Sequence, residues 1–322
     1  MKLIKKGAVL IALIIIVIFV ASSFGSGKDV TITVNQGQPL MSIAETLKEN
    51  GVIMSKYLFV IKARLSGNTQ NLKYGDFILN SDMSYDEIIQ KLTTEGARKE
   101  TVTITIPEGY SAEMIAVKCE EAGICTKDEF LDALSYDYDF EFINKIPKKD
   151  VKYTLQGFLF PSTYEVYADS SAHDVIKVML SEFEKQYPAD YNNIYEVITK
   201  ASLIERETKL DSERKTISGV INNRIKKDML LQIDASVVYA ITDGMYDVDV
   251  VYFKDLETKS KYNTYKYAGL PVGPICNPGI ESIEAALSPE SHPYLYYHTD
   301  EVKKDGSHIF TKTFEEHTST MN

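Results

Sequence analysis

The sequence predicts an α+β fold in three parts: an N-terminal transmembrane helix, a small βααβ module and a larger α+β domain. Three observations carry that prediction. An uncharged apolar run opens the chain, a strand–turn–helix pattern occurs twice at one fixed offset, and an amphipathic helix places a carboxylate on its own apolar stripe. With 322 residues the chain has room for two domains with sizeable cores. Its 35 Lys+Arg against 46 Asp+Glu leave a formal charge of −11, which argues against nucleic acid as a partner. The 21 Tyr with no Trp suit carbohydrate or interface contacts, although Tyr is also ordinary core material. Cys119, Cys125 and Cys276 lack metal-ligand spacing and support no disulfide framework. The five His are scattered without an HExxH pattern, so no metal and no cofactor is expected.

Lys2, Lys5 and Lys6 precede the uncharged run Gly7 to Phe24. As a helix this run extends about 27 Å, enough to cross a hydrocarbon core. The lysines put that end in the cytoplasm and everything after Gly25 outside. A cleaved signal peptide is the competing reading, since Ala21-Ser22-Ser23 has small residues. The run is long for a signal sequence, so residues 1–28 are read as a retained anchor. The expected location is the cell membrane, single-pass, with the working domains extracytoplasmic.

Val30 to Val34, Gly37, the stripe Ile43, Ala44, Leu47, and Gly51 form a strand, a turn and a short helix. Val102 to Ile106, Gly109, Ile115, Ala116, Cys119 and Gly123 repeat them in the same order and at one offset. Downstream, Phe77–Leu79 leads to a helix through Ile88, Ile89 and Leu92, and Tyr164–Val166 leads to one through Val175, Ile176 and Met179. Two related α+β modules follow, 29–98 and 99–190, with a charged junction near Glu95 to Glu100. In pattern the first resembles a LysM-like domain, a βααβ fold whose members often bind N-acetylglucosamine-containing glycans. A membrane-proximal spacer is the plainer reading.

Residues 191–322 carry the chemistry. From Tyr191 to Thr208 the spacing predicts one helix with Asn192 or Asn193 as N-cap and the stripe Ile194, Val197, Ile198, Ala201. Continued by the helical period, that stripe reaches Glu205. Two readings of Glu205 stand open at this point: a structural acid paired with an Arg, or an acid whose apolar surroundings let it hold and donate a proton. Glu207 falls about 200° round the helix, beside Glu196 and Lys200, as a solvated or salt-bridged supporting residue.

Five stretches in order resemble the membrane-bound endolytic murein transglycosylases, the MltG or YceG-like family. They are Leu155-Gln156-Gly157-Phe158-Leu159-Phe160-Pro161-Ser162-Thr163-Tyr164-Glu165, Ala201–Thr208, Leu231–Tyr239, Asn263–Gly279, and Gly306-Ser307-His308 to Glu315-Glu316-His317. The resemblance, which includes the anchor, implies cleavage of the β-1,4 bond between N-acetylmuramic acid and N-acetylglucosamine within nascent peptidoglycan strands. It implies a 1,6-anhydromuramyl product end, a role in terminating or trimming strands, and cell-wall synthases as partners. The family's catalytic acid falls on Glu205. One carboxylate suffices for such chemistry because the sugar's own 6-hydroxyl is the nucleophile, whereas hydrolases need two carboxyls.

Positioning groups are expected from the other stretches. Gln232, Asp234 and Ser236 alternate, so an extended segment would face them one way, although Asp234 can equally be an N-cap for a Val237–Ala240 helix. Asn263, Thr264 and Tyr265 open a loop rich in Gly and Pro that either positions binding groups or acts as a structural lid. A helix from Ile280 to Leu287 follows, then a hairpin in which His298 and His308 are strand residues and not ligands. Ala235 stands where the family commonly has Pro, and the loop carries Cys276. Two rivals remain: a two-carboxylate muramidase with Asp234 as second acid, and a non-catalytic peptidoglycan-binding scaffold.

Overall fold

The computed structural model describes residues 27–35, 37–94, 101–147, 150–248 and 250–321. The expected anchor, Gly7 to Phe24, lies outside these residues, and among them no helix is long and apolar enough to cross a membrane. The chain forms two compact units that divide between Thr101 and Val102.

In the first unit, strands β1 (Val30–Val34) and β2 (Gly75–Leu79) pair antiparallel, Val30 opposite Leu79 and Ile32 opposite Phe77. Helices α1 (Leu40–Glu49) and α2 (Lys56–Leu65) and a 3-10 turn at Thr69–Asn71 lie between them, and α3 (Tyr85–Thr94) follows. Strand alternation turns Ile32, Val34, Phe77 and Leu79 onto Ile43, Leu47, Phe59, Val60, Ile88, Ile89 and Leu92. Each large apolar side chain buried this way stabilises the unit by roughly 1.5–3 kcal/mol.

The second unit opens with the same order of elements. Strand β3 (Thr101–Thr105) is followed by α4 (Ala112–Glu121), α5 (Lys127–Ala133) and a 3-10 turn at Glu141–Lys145. Then come β4 (Thr163–Tyr167), which pairs with β3, and α6 (Ala172–Gln186). The glycines explain why the pattern repeats. Gly37 and Gly109 both turn at positive φ (71° and 78°), and so do Gly51 and Gly123 (72° and 69°). At Gly51 the next amide, Val52 N–H, donates back to Leu47 O at 2.9 Å; at Gly123, Ile124 N–H donates to Cys119 O at 3.0 Å. Both closures are the left-handed helix ending that glycine permits. Ser111, Thr126 and Ser171 cap α4, α5 and α6 through their hydroxyls.

The rest of the unit is mainly helical: α7 (Ile194–Glu207), α8 (Asp211–Lys226), α9 (Asp234–Ile241) and α10 (Ile280–Leu287). Hairpin β5 (Tyr296–Thr299) and β6 (His308–Thr311) and a short α11 (Phe314–Thr320) close the described chain. Ile194, Ile198, Ala201, Leu203 and Ile204 bury the inner face of α7 against the core, and α10 packs on both α7 and α8. Neither expected asparagine caps α7: Asn193 holds the N-cap place, but at φ 55° it is left-handed and its side chain makes no cap bond.

Candidate active site

The inner face of α7 is stitched to the loop that precedes α10. Ser202 Oγ donates to Thr199 O at 2.7 Å and accepts Ile275 N–H at 3.0 Å, and Cys276 Sγ donates to Ser202 O at 3.3 Å. Three residues on, the same face presents Glu205, its side chain only 7% exposed. Glu205 Oε2 accepts Gly279 N–H at 3.0 Å and lies 3.3 Å from Arg214 Nη1. Arg214 stands on α8, where Nε donates to Asp211 Oδ1 at 3.0 Å and Nη1 to Ser282 Oγ of α10 at 2.5 Å. Burial works against the Arg214 charge, but Glu205 and Asp211 outweigh it and hold the guanidinium above its ordinary range. Both partners of Glu205 therefore meet Oε2, and among the described residues Oε1 accepts no hydrogen bond.

A loop from the repeated module forms the opposite wall. Gly109 packs its backbone on the Glu205 side chain: a Cβ there would sit 3.7 Å from Glu205 Cγ and 3.8 Å from Arg206 Cδ. The loop is held by Asn277, which is fully buried. Asn277 Oδ1 accepts Gly157 N–H and Leu159 N–H, each at 2.9 Å, and Nδ2 donates to Tyr110 O at 2.9 Å. Its backbone N–H also donates to Tyr110 O at 2.8 Å, while Gly109 N–H donates to Asn277 O at 2.9 Å. One side chain thus joins the Leu155–Phe160 motif, the Glu108–Tyr110 turn and the Gly/Pro loop. Glu108 rests its carboxylate on Gly279, where a Cβ would run into it. Burial, then the charges of Glu205 and Glu281, push the Glu108 carboxyl up, with Arg214 opposing. Glu108 is exposed as a residue, so water screens part of that effect.

Glu207 is not the solvated surface residue that its helical angle implies. The hairpin covers that side of α7: Tyr297 Oη donates to Glu207 Oε2 at 2.6 Å. Glu207 is half-buried in exposed area, yet burial and the Asp234 charge raise its carboxyl above the ordinary range, against the Tyr297 bond and the charges of His308 and Arg206. His308 Nδ1 meets Glu213 Oε2 at 2.6 Å, so this strand histidine also braces α8.

The six expected positioning residues divide in two. No extended segment aligns Gln232, Asp234 and Ser236, because α9 starts at Asp234, which occupies the first helical position and not the N-cap. Ser236, Asn263 and Thr264 are buried and hold backbone: Ser236 Oγ bonds Ile233 O and Thr264 Oγ1, Thr264 Oγ1 accepts Ile233 N–H, and Asn263 Nδ2 donates to Leu256 O and Thr258 O. Gln232, Asp234 and Tyr265 reach the surface or its edge. Tyr265 Oη donates to Asp234 Oδ1 at 2.5 Å, and Gln232, at φ 52°, receives Arg224 Nη1 at 3.4 Å. Asp234 and Tyr265 lie near enough to Glu207 for the charges to be felt between them. Sequence reasoning missed Glu108, Arg214 and Asn277. The only signals were a Glu before a turn glycine, an Arg nine positions after Glu205, and an Asn-Pro-Gly turn. Among the described residues no group of three or more His, Cys, Asp and Glu could hold a metal ion.

Residues 32–322 match the model of the YceG-like family. The chain is 36% identical over 309 residues to the endolytic murein transglycosylase of Bacillus subtilis (strain 168), covering 91% of this chain and 84% of that protein. It is 28% identical over 324 residues to the endolytic murein transglycosylase of Streptococcus pneumoniae serotype 2 (strain D39 / NCTC 7466), covering 91% of this chain and 58% of that protein. The crystal structure of a yceG-like protein from Listeria monocytogenes aligns with a TM-score of 0.58 at 32% identity, covering 91% of this chain and 99% of that one.

Proposed function

The chain belongs to the YceG-like family, and from that premise we propose that it is an endolytic lytic transglycosylase acting on peptidoglycan. Its bond is the β-1,4 link between N-acetylmuramic acid and N-acetylglucosamine in nascent strands, and its product carries a 1,6-anhydromuramyl end. The observation that carries the reading is Glu205: a carboxyl buried at the C-terminal turn of α7, both of whose partners meet one oxygen. Protonated, Glu205 donates to the glycosidic oxygen; as carboxylate it then takes the 6-hydroxyl proton while that oxygen closes on C1. Arg214 and Gly279 N–H fix the orientation of the carboxyl, which preserves the near-attack geometry both steps need. The structural and the chemical readings of Glu205 are then compatible, since the Arg pair is what orients the acid.

Gln232, Asp234 and Tyr265 are assigned to substrate contact, while Ser236, Asn263 and Thr264 support the loops beneath them. A hydrolytic muramidase would use Asp234 as second acid, but Asp234 is taken up by Tyr265 and acts on Glu207. Residues 7–24 are assigned as a retained anchor with the lysines cytoplasmic, which puts both units outside the cell membrane near cell-wall synthases. The first unit, with two helices between paired strands, is assigned a LysM-like glycan contact.

The test is product analysis with purified variants. Glu205→Gln keeps the shape but has no acidic proton to give, so release of anhydromuropeptides should fall by ~10²–10⁴-fold with circular dichroism unchanged. Asp234→Asn should cost far less. Near-normal product from Glu205→Gln would end this mechanism. Product ends heavier by one water from the unmutated protein would end the lytic reading, and no cleavage at all would leave the scaffold.

A further inference from the structure

Glu205 as the acid has an unsolved difficulty. Arg214 and Gly279 N–H both meet its Oε2, a cation and a donor placed for the carboxylate of the second step, whereas the first step needs a proton held nearby. Something must oppose them. The groups facing this point come from four elements: Glu205 on α7, Asp211 and Arg214 on α8, Glu281 on α10, and Glu108 on the β3–α4 loop. Arg206 also approaches Gly109, with its guanidinium stacked 3.8 Å from the centre of the Tyr246 ring. Glu205 and Asp211 share Arg214, whereas Glu108 and Glu205 meet at Gly279. Gly279 gives its N–H to Glu205 and its bare Cα to the Glu108 carboxylate.

We propose that Glu108 and Glu205 work as a carboxyl pair holding a single proton across Gly279, so that Glu108 decides up to what pH the centre can donate. This rests on Glu205 being the acid. The physical reason is that two neighbouring carboxylates cannot both ionise freely, and their protons belong to the pair. One proton retained by the pair offsets the pull of Arg214. Geometry and charge agree with this: Glu205 Oε2 accepts Gly279 N–H at 3.0 Å, and burial and the Glu205 charge push the Glu108 carboxyl up. The repeat supplies an internal comparison. At the 72-residue offset of the repeat, the sequence has Gln36 where the second module has Glu108. Gly279 fits the same arrangement, for its φ of −74° suits any residue and the three atoms nearest a Cβ there all belong to Glu108. Glu108 is a positioning residue for the proton, acting through Glu205.

The experiment is the pH–rate profile of anhydromuropeptide release from uncrosslinked glycan strands, with the full chain and three variants. Glu108→Gln removes the second carboxyl. Gly279→Ala keeps it but turns the flexible Glu108 side chain away, leaving the N–H to Glu205 in place. Either change removes the second carboxyl from the pair, so the alkaline limb should move to lower pH in both variants, by roughly 0.5–1 unit given water screening. A limb that stays put, with the rate lowered equally at every pH, assigns Glu108 a structural role only and overturns the pair. Agreement between Glu108→Gln and Gly279→Ala is needed, so misfolding of one variant does not spare the proposal. Glu205→Gln separates the two layers: activity surviving there overturns the proposed acid itself, whereas an inactive Glu205→Gln beside unmoved limbs overturns the pair alone.

Discussion

Removing the Asn277 side chain tests whether one buried amide holds the wall opposite Glu205. Asn277→Ala deletes the acceptor of Gly157 N–H and Leu159 N–H, each at 2.9 Å, and the donor to Tyr110 O. Tyr110 O keeps the residue 277 backbone N–H at 2.8 Å, so two backbone donors are orphaned. Residue 277 is fully buried, and each buried donor left unpaired costs ~1–3 kcal/mol. The expected loss is therefore about 2–6 kcal/mol, on the order of 10 °C in Tm for a domain of this size. Ser202→Ala is the scale. It orphans one such donor, Ile275 N–H, and should cost about half as much. The assay is urea unfolding followed by circular dichroism, with equal m-values required so that free energies can be compared. A loss below about 0.5 kcal/mol for Asn277→Ala, or one no larger than for Ser202→Ala, would refute the accounting.

Gly157 sits at φ 93°, and a Cβ there would lie 2.6 Å from Pro274 Cγ and 2.7 Å from Ile198 Cγ2, so Gly157→Ala should destabilise by several kcal/mol in the same assay. The Glu207 carboxyl is raised above its ordinary value of 4.5, so the folded state binds that proton more tightly than the unfolded chain does. Its contribution is then greatest below pH 4.5 and is lost as pH rises through the folded value. Glu207→Gln should remove this loss, giving a flatter stability profile above pH 4.5; an unchanged slope would contradict the sign. For topology, protease added to intact protoplasts should digest everything beyond residue 28, and complete protection would overturn an outward-facing domain. A chain beginning at residue 99 should fold and retain some cleavage, and a folded but wholly inactive product would overturn the division of labour between the units.

What was legible follows the range of the interactions involved. Period alone put Glu205 on the buried stripe of α7, because Ile194, Ile198 and Ala201 already fix that face. The same rule failed two residues later at Glu207, whose outward angle is covered by Tyr297 from a hairpin far along the chain. Period cannot report what lands on a helix from elsewhere. Alternation failed at Gln232, Asp234 and Ser236 for a related reason: three positions two apart are too few to separate a strand from a helix start, and α9 begins inside them.

Glu108 was hidden for a third reason, which lies in what its turn meets. A Glu before a turn glycine has the look of a solvated loop residue, and in the first module the matching place is polar too. Its meaning depends on Gly279, which lacks the atom that would exclude it, and on Asn277, which pins the turn to the loop. Gly37, the counterpart of Gly109, has no described atom within 4 Å of the Cβ it lacks, whereas Gly109 lies against Glu205 and Arg206. The glycine of the turn is left-handed in both units, and in the second it lies against Glu205 and Arg206 while Glu108 lies against Gly279. The repeat accounts for the turn, and the added helices α7, α8 and α10 account for what the turn meets. A site built this way is sensitive at its glycines as much as at its acids, because the spacing of two carboxyls is set by the side chain that Gly279 does not have.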